Sequence, residues 1–276
     1  MHRATAPVVL VVITLLLATA CEAPPETPES AIPDGERIDL THPFNEETIY
    51  WPTAPQTFEL EEDFVGDTGD YFYAAHVLAT SEHGGTHLDA PFHFAEDEEA
   101  AQDQWTTDEI PLDRLMGNAV VIDVRDAAAE DRNYQVQTSD FEQWEDEHGA
   151  IPDEAIVLLD TGSAQYWPDA EAYIGTDERG EEALADLQFP GLHPEAAEWL
   201  VENRSIHAIG LDTPSIDYGP SEGFESHRVL FAENIPVFEN LNNLSDLPPT
   251  GTYVMALPMH IEGGSGGPLR AVAVLP

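Results

Sequence analysis

Lysine is absent from this chain, and cysteine occurs once, at Cys21. A single cysteine excludes an intrachain disulfide framework and a thiolate zinc site. All nine cations are arginine, set against 54 Asp and Glu, for a net charge of −45. A phosphate backbone is bound by clustered cations, so general nucleic-acid binding is excluded. Hydrophobic residues make up 42%, enough to fill a core, so the acidity is not that of a disordered chain. The length, 276 residues, allows one large domain or two small ones. The acidic residues are spread along the chain, where their repulsion opposes a compact state in dilute buffer. Salt near 1 M cuts the reach of such charges to about 3 Å. The expectation is a protein that works in high salt.

The longest apolar run is N-terminal. Arg3 precedes Val8–Ala20, which is shorter than the roughly 20 residues that cross a bilayer as a helix. Leu17-Ala18-Thr19-Ala20 directly before Cys21 resembles the lipobox of a bacterial lipoprotein, in which the cysteine is lipidated and begins the mature chain. Residues 1–20 are therefore expected to be a signal peptide. Residues 21–36, rich in Pro and Glu, read as an extended tether. The implied location is the cell envelope outside the cytoplasm, with the membrane touched only through the lipid.

No composition shift divides 37–276, so one domain is expected there. Strands are expected at Tyr71–Thr80, Ala119–Val124, Ala155–Asp160, Ile206–Leu211, Ile235–Phe238, Thr252–Pro258 and Arg270–Leu275. Helices are expected at Ser139–Glu147, Glu181–Leu187, Pro194–Asn203 and Ser226–Glu233. Their alternation predicts a mixed α/β domain. Gly263-Gly264-Ser265-Gly266-Gly267 lacks the Lys-Ser/Thr end of a phosphate-binding loop and reads as a tight loop near the last strand. Ser163 and Ser265 sit beside glycines, but neither lies in a GxSxG elbow.

Chemistry is concentrated in His83-Gly84-Gly85-Thr86-His87-Leu88-Asp89-Ala90-Pro91-Phe92-His93-Phe94. The glycine pair argues against a regular helix and lets the backbone turn so that His83, His87 and Asp89 converge. Two neutral imidazoles and a carboxylate suit zinc or another borderline divalent cation, with positions left open for water. Pro91 sets His93 apart from these three, where it is placed for proton transfer near neutral pH.

The segment resembles the HxGTHxDxPxHF signature of the cyclase family of metal-dependent hydrolases, which includes bacterial kynurenine formamidase and isatin hydrolase. Asp39-Leu40-Thr41 to Tyr50-Trp51-Pro52, Phe189-Pro190-Gly191-Leu192, Gly210 to Asp217 and Leu257 to Gly266 are similar to the same family. The resemblance implies a single mixed-sheet α/β domain of swivelling β/β/α type. It implies His83, His87 and Asp89 as ligands of one metal, with Asp89 bridging to a second completed by His227 and Glu239. It further implies His93 as catalytic acid/base, Trp51 in the substrate pocket, and a homo-oligomer. Zinc or manganese, two per chain, is the implied cofactor, since N/O ligands accept both.

Three readings stand at this point. The first is an arylformamidase-type hydrolase of aryl amide C–N bonds, favoured by the His227/Glu239 pair. The second is a hydrolase that opens a cyclic amide or lactone. The third is a non-catalytic metal-binding lipoprotein, against which His93 speaks. His42, His76, His148, His193, His207 and His260 are taken as structural or surface residues.

Overall fold

Residues 32–276 are described by the structure, a computed structural model. The expected signal peptide, Cys21 and most of the expected tether lie outside the described residues. In chain order the strands are β1 (Arg37–Asp39), β2 (Glu59–Asp67), β3 (Phe72–Ala79), β4 (His87–Asp89), β5 (Met116–Asp123) and β6 (Gln135–Val136). They continue with β7 (Ile156–Asp160), β8 (Gly191–Leu192), β9 (Ala208–Leu211), β10 (Val237–Glu239), β11 (Thr252–Pro258) and β12 (Gly266–Val274). The α-helices are α1 (Leu112–Leu115), α2 (Arg125–Glu130), α3 (Thr138–His148), α4 (Ala170–Ile174), α5 (Pro194–Asn203) and α6 (Glu225–Ala232).

The main sheet has the order β1-β12-β11-β5-β7-β9-β10-β4, and β4 also pairs with β12. That last pairing, Gly266 with Asp89 through Pro268 with His87, bends the sheet into a barrel-like form. The segment β5-β7-β9-β10 is parallel, and helices cover it on the outside. Both faces of these strands are apolar, as a doubly covered parallel sheet requires. Ala119, Val121, Ile156 and Leu158 point into the barrel with Leu88, Phe238 and Ala271. Val120, Ile122, Val157 and Leu159 point out against Phe141 of α3, Leu200 of α5 and Phe231 of α6. Each such fully buried Leu or Ile contributes roughly 1.5–3 kcal/mol over leaving it exposed.

Capping chemistry sets the helices. In α5, Pro194 stands at the first turn and His193 Nδ1 accepts from the Glu195 N–H at 3.2 Å. The Asp140 carboxylate of α3 accepts the Gln137 N–H at 2.7 Å, and Gly149 ends the helix at φ 89°. No helix among the described residues is long and apolar enough to cross a membrane.

The mixed α/β expectation holds, and every expected strand and three of the four expected helices are present within a few residues. Glu181–Asp186 is a 3₁₀ segment instead of the expected α-helix. Its first residues, Glu181 and Glu182, are exposed, so only Ala183 is fully buried to support it. Strand β12 starts at Gly266, four residues earlier than expected, because pairing with β4 recruits the end of the glycine-rich stretch. Strand β2 was not expected. Its sequence is mostly acidic, and among the described residues it pairs only with β3, in a ribbon separate from the main sheet.

Candidate metal centre

Strand β4 carries the centre. Successive side chains of a strand face opposite ways, so His87 and Asp89 share one face while Leu88 enters the core. The antiparallel register with β10 sets Glu239 opposite His87. Before β4 the chain turns through Gly84 and Gly85. Gly85 is left-handed at φ 57°, and a Cβ on Gly84 would lie 2.0 Å from the Tyr50 ring. This turn brings His83 back over β4. After β4, a 3₁₀ turn at Pro91–His93 returns His93, whose ring stacks on His83 with centroids 3.8 Å apart. His227 enters from the first turn of α6 and is buried.

The groups meet at Asp89. Its Oδ1 lies 2.6 Å from His83 Nδ1 and 3.0 Å from His87 Nε2. Its Oδ2 lies 3.2 Å from His227 Nε2 and 3.9 Å from His93 Nε2. Glu239 Oε2 is 3.5 Å from His87 Nε2, and its Oε1 is 3.3 Å from His227 Nε2. Two overlapping triplets, His83/His87/Asp89 and Asp89/His227/Glu239, each gather their donor atoms closely enough to hold an ion. His83, His87, Asp89, His93, His227 and Glu239 are thus brought together. Trp51 stands in the wall of the adjoining cavity.

Each of the three close imidazoles has its second nitrogen engaged. His87 Nδ1 donates to Gly85 O at 2.9 Å, and His227 Nδ1 meets Asp217 Oδ2 at 2.6 Å. His83 Nε2 meets Ser265 Oγ at 2.9 Å. Held rings with one nitrogen aimed at buried carboxylates fit a borderline divalent cation.

Charge follows this packing. Burial opposes protonation of His87, but the Asp89 charge and hydrogen bond, with Glu239, outweigh it and raise its pKa to about 9. For His227, burial is likewise outweighed, chiefly by Asp217 and Asp89, and the pKa rises. Asp89 is held well below the usual carboxylate range, because its imidazole neighbours overcome its burial. Glu239 is raised, first by burial and then by the Asp89 charge. Burial lowers His93 to about 3, leaving its imidazole neutral.

A cavity of about 270 Å³ opens over the cluster. Trp51, Phe94 and Phe224 form an aromatic wall, with Phe94 and Phe224 stacked at 4.7 Å. No Arg or Lys lines it among the described residues. Sequence reasoning assigned no role to Asp217, Ser265, Phe94 or Phe224. Asp217 and Phe224 lay within or beside recognisable stretches, but nothing local marks a residue whose partner arrives from another element. Two histidines left as structural are so: His42 stacks on Trp167 at 4.2 Å, and His193 caps α5.

Comparison with known proteins agrees with this geometry. A family model described as a putative cyclase matches residues 38–218. Isatin hydrolase from Roseibium aggregatum is 30% identical over 214 residues, 76% of this chain and 78% of that protein. Kynurenine formamidase from Salinibacter ruber is 31% identical over 197 residues, 71% and 77% of the two chains. The solved isatin hydrolase A from Labrenzia aggregata, bound to benzyl benzoate, superposes with a TM-score of 0.77 at 31% identity. That match covers 87% of this chain and 93% of the other. A family model spanning about two thirds of the chain, with relatives at this identity across about three quarters of it, makes this protein a member of the cyclase family.

Proposed function

We propose that this protein is a metal-dependent hydrolase of amide C–N bonds on aryl substrates, of the arylformamidase type. The observation that carries the proposal is the split presentation of Asp89, Oδ1 toward His83 and His87 and Oδ2 toward His227. His83, His87 and Asp89 would hold one divalent cation, and Asp89, His227 and Glu239 a second, zinc or manganese in either case. A bound divalent cation supplies charge that polarises a carbonyl and acidifies water. His93, beside the cluster, accepts the proton of the attacking water and returns it to the leaving nitrogen as the C–N bond breaks. Trp51, Phe94 and Phe224 hold the aryl ring and exclude bulk water from the scissile amide.

The test is His93→Ala with bound metal measured in the same sample. Metal content is retained while turnover of an aryl formamide falls by roughly 10²–10⁴-fold. Unchanged turnover overturns the role of His93, and absence of any cation from wild-type protein overturns the proposal. A second reading, opening of a cyclic aryl amide, is favoured by the lack of Arg or Lys in the cavity wall among the described residues. Such walls suit a compact neutral substrate better than one with an ionised tail. Initial rates on aryl formamides, isatin-like cyclic amides and lactones separate the readings.

The wider setting is part of the same proposal. The β2–β3 ribbon exposes Leu60, Val65, Phe72 and Leu78 on one face and Phe64, Tyr73 and Val77 on the other. A free two-stranded ribbon is marginal in water, which supports a homo-oligomer that covers it. Lipidation of Cys21 outside the cytoplasm is tested by membrane partition of the full chain, lost on Cys21→Ser.

A further inference from the structure

Four of the five residues in the stretch Gly263–Gly267 are glycine, and no role in the chemistry above uses it. Its backbone is pinned at several points. Ser265 O accepts the Ala90 N–H at 2.9 Å, and Gly264 O accepts the Thr107 N–H at 2.9 Å and its hydroxyl at 3.0 Å. Its only side chain, Ser265, reaches the metal centre. The Ser265 hydroxyl donates to Glu82 Oε2 at 2.6 Å, and the same carboxylate oxygen also accepts the Ser265 N–H at 3.3 Å. Ser265 Oγ stands 2.9 Å from His83 Nε2.

A hydroxyl has one proton to give. Glu82 takes it, so Ser265 Oγ faces His83 Nε2 as an acceptor, and Nε2 is the nitrogen that carries hydrogen. The Nδ1 lone pair is then left for a cation shared with Asp89, whose Oδ1 lies 2.6 Å away. His87 and His227 are arranged the other way, with Nδ1 engaged and Nε2 facing the cluster. Of the three, His83 is the one whose cluster-facing nitrogen is next to the ring's attachment point, and as with the other two a wrong tautomer would remove a ligand. The glycines let this clamp close: a Cβ on Gly266 would lie 2.6 Å from His83 Cε1, and one on Gly264 3.0 Å from Glu82 Oε1.

We propose that Glu82 and Ser265 are positioning residues that lock His83 in its Nε2–H tautomer and orient its Nδ1 for a divalent cation. The inference rests on the cation reading given above. The glycine-rich stretch is the backbone of this clamp. Because His93 stacks on His83 at 3.8 Å, the same clamp sets the plane of the proton-transfer ring.

The experiment is a chelator-competition titration of Zn²⁺ on the full chain, with a thermal midpoint for every variant and proton–nitrogen correlation spectra of the histidine rings. Ser265→Ala lowers Zn²⁺ affinity roughly 10- to 100-fold, the range for groups that hold a ligand ring, and leaves the midpoint of the metal-free protein within a few degrees. Ser265→Thr, which keeps the hydroxyl, restores affinity to within about threefold. Glu82→Ala is as damaging as Ser265→Ala, because the freed hydroxyl now donates to Nε2 and favours the wrong tautomer. Glu82→Gln keeps an acceptor and stays near wild type. In the zinc-loaded wild type the His83 ring proton is found on Nε2. Wild-type affinity in Ser265→Ala, or a His83 proton on Nδ1, overturns the clamp. Failure of the wild type to bind Zn²⁺ overturns the cation reading itself, a result distinguishable from the other two.

Discussion

Asp217→Asn exposes how much the centre depends on a carboxylate that does not face the cavity's cation cluster directly. Asp217 is buried, and its Oδ2 meets His227 Nδ1 at 2.6 Å. It also accepts the N–H of Ser226 at 3.0 Å and that of His227 at 3.3 Å, the opening turn of α6. Its pKa is depressed because the His227 hydrogen bond and charge outweigh the cost of burial. An asparagine has one oxygen where the aspartate has two. If that oxygen serves His227, the amide NH₂ faces the Ser226 N–H, and if it is flipped, two donors face each other at the ring. Either way a buried donor loses its acceptor, costing about 1–3 kcal/mol of stability. The ring also loses its anionic partner, which weakens cation binding by roughly 10- to 100-fold, or about 1.4–2.8 kcal/mol. Denaturant midpoints of metal-free protein and chelator competition measure the two losses separately. Affinity within twofold of wild type would refute the claim that Asp217 orients His227.

Three further outcomes are expected. The thermal midpoint of wild type rises between about 0.1 and 2 M salt, since a charge of −45 is then screened within a few ångströms; a flat series contradicts this. Asp160 is raised from 3.8 to about 7, first by burial and then by the Asp212 charge, against the pull of Arg125. The folded chain therefore keeps a proton that the unfolded chain releases, and stability drains away as pH rises from about 4 to 7. Asp160→Asn should gain on wild type between pH 5 and pH 8, by an amount of order 1–4 kcal/mol in denaturant midpoints at the two pH values; the opposite slope sinks it. Trp51→Ala raises KM for aryl substrates about tenfold with kcat little changed, from lost ring contact of roughly 1.4 kcal/mol. An unaltered KM would take Trp51 out of the binding surface.

The legible parts of the molecule are those whose signals are local. Helix α5 announces itself through Pro194 and the spacing of Ala197, Leu200 and Val201, and its bounds are as expected. Strands β7 and β9 are short apolar runs and are found at or near their expected bounds. Strand β2 was missed because Glu59, Glu61, Glu62 and Asp63 mask its alternation, and its apolar positions face outward on both sides. In the centre, His83, His87, Asp89 and His93 could be read from one glycine-hinged segment. His227 and Glu239 came only by resemblance, since the β4–β10 register and the entry of α6 bring them in from more than a hundred residues away. Asp217 and Ser265 act through rings on other elements, so no spacing rule reaches them.

The three residues of β4 also stitch the barrel, with β10 on one flank and β12 on the other. Two of those three side chains belong to the donor cluster. Reactive centre and architectural seam are therefore one object. Warming that unzips the C-terminal strand also scatters the donors, so loss of the ion and collapse of the sheet should arrive as a single calorimetric event, and supplying the ion should tighten the joint from within.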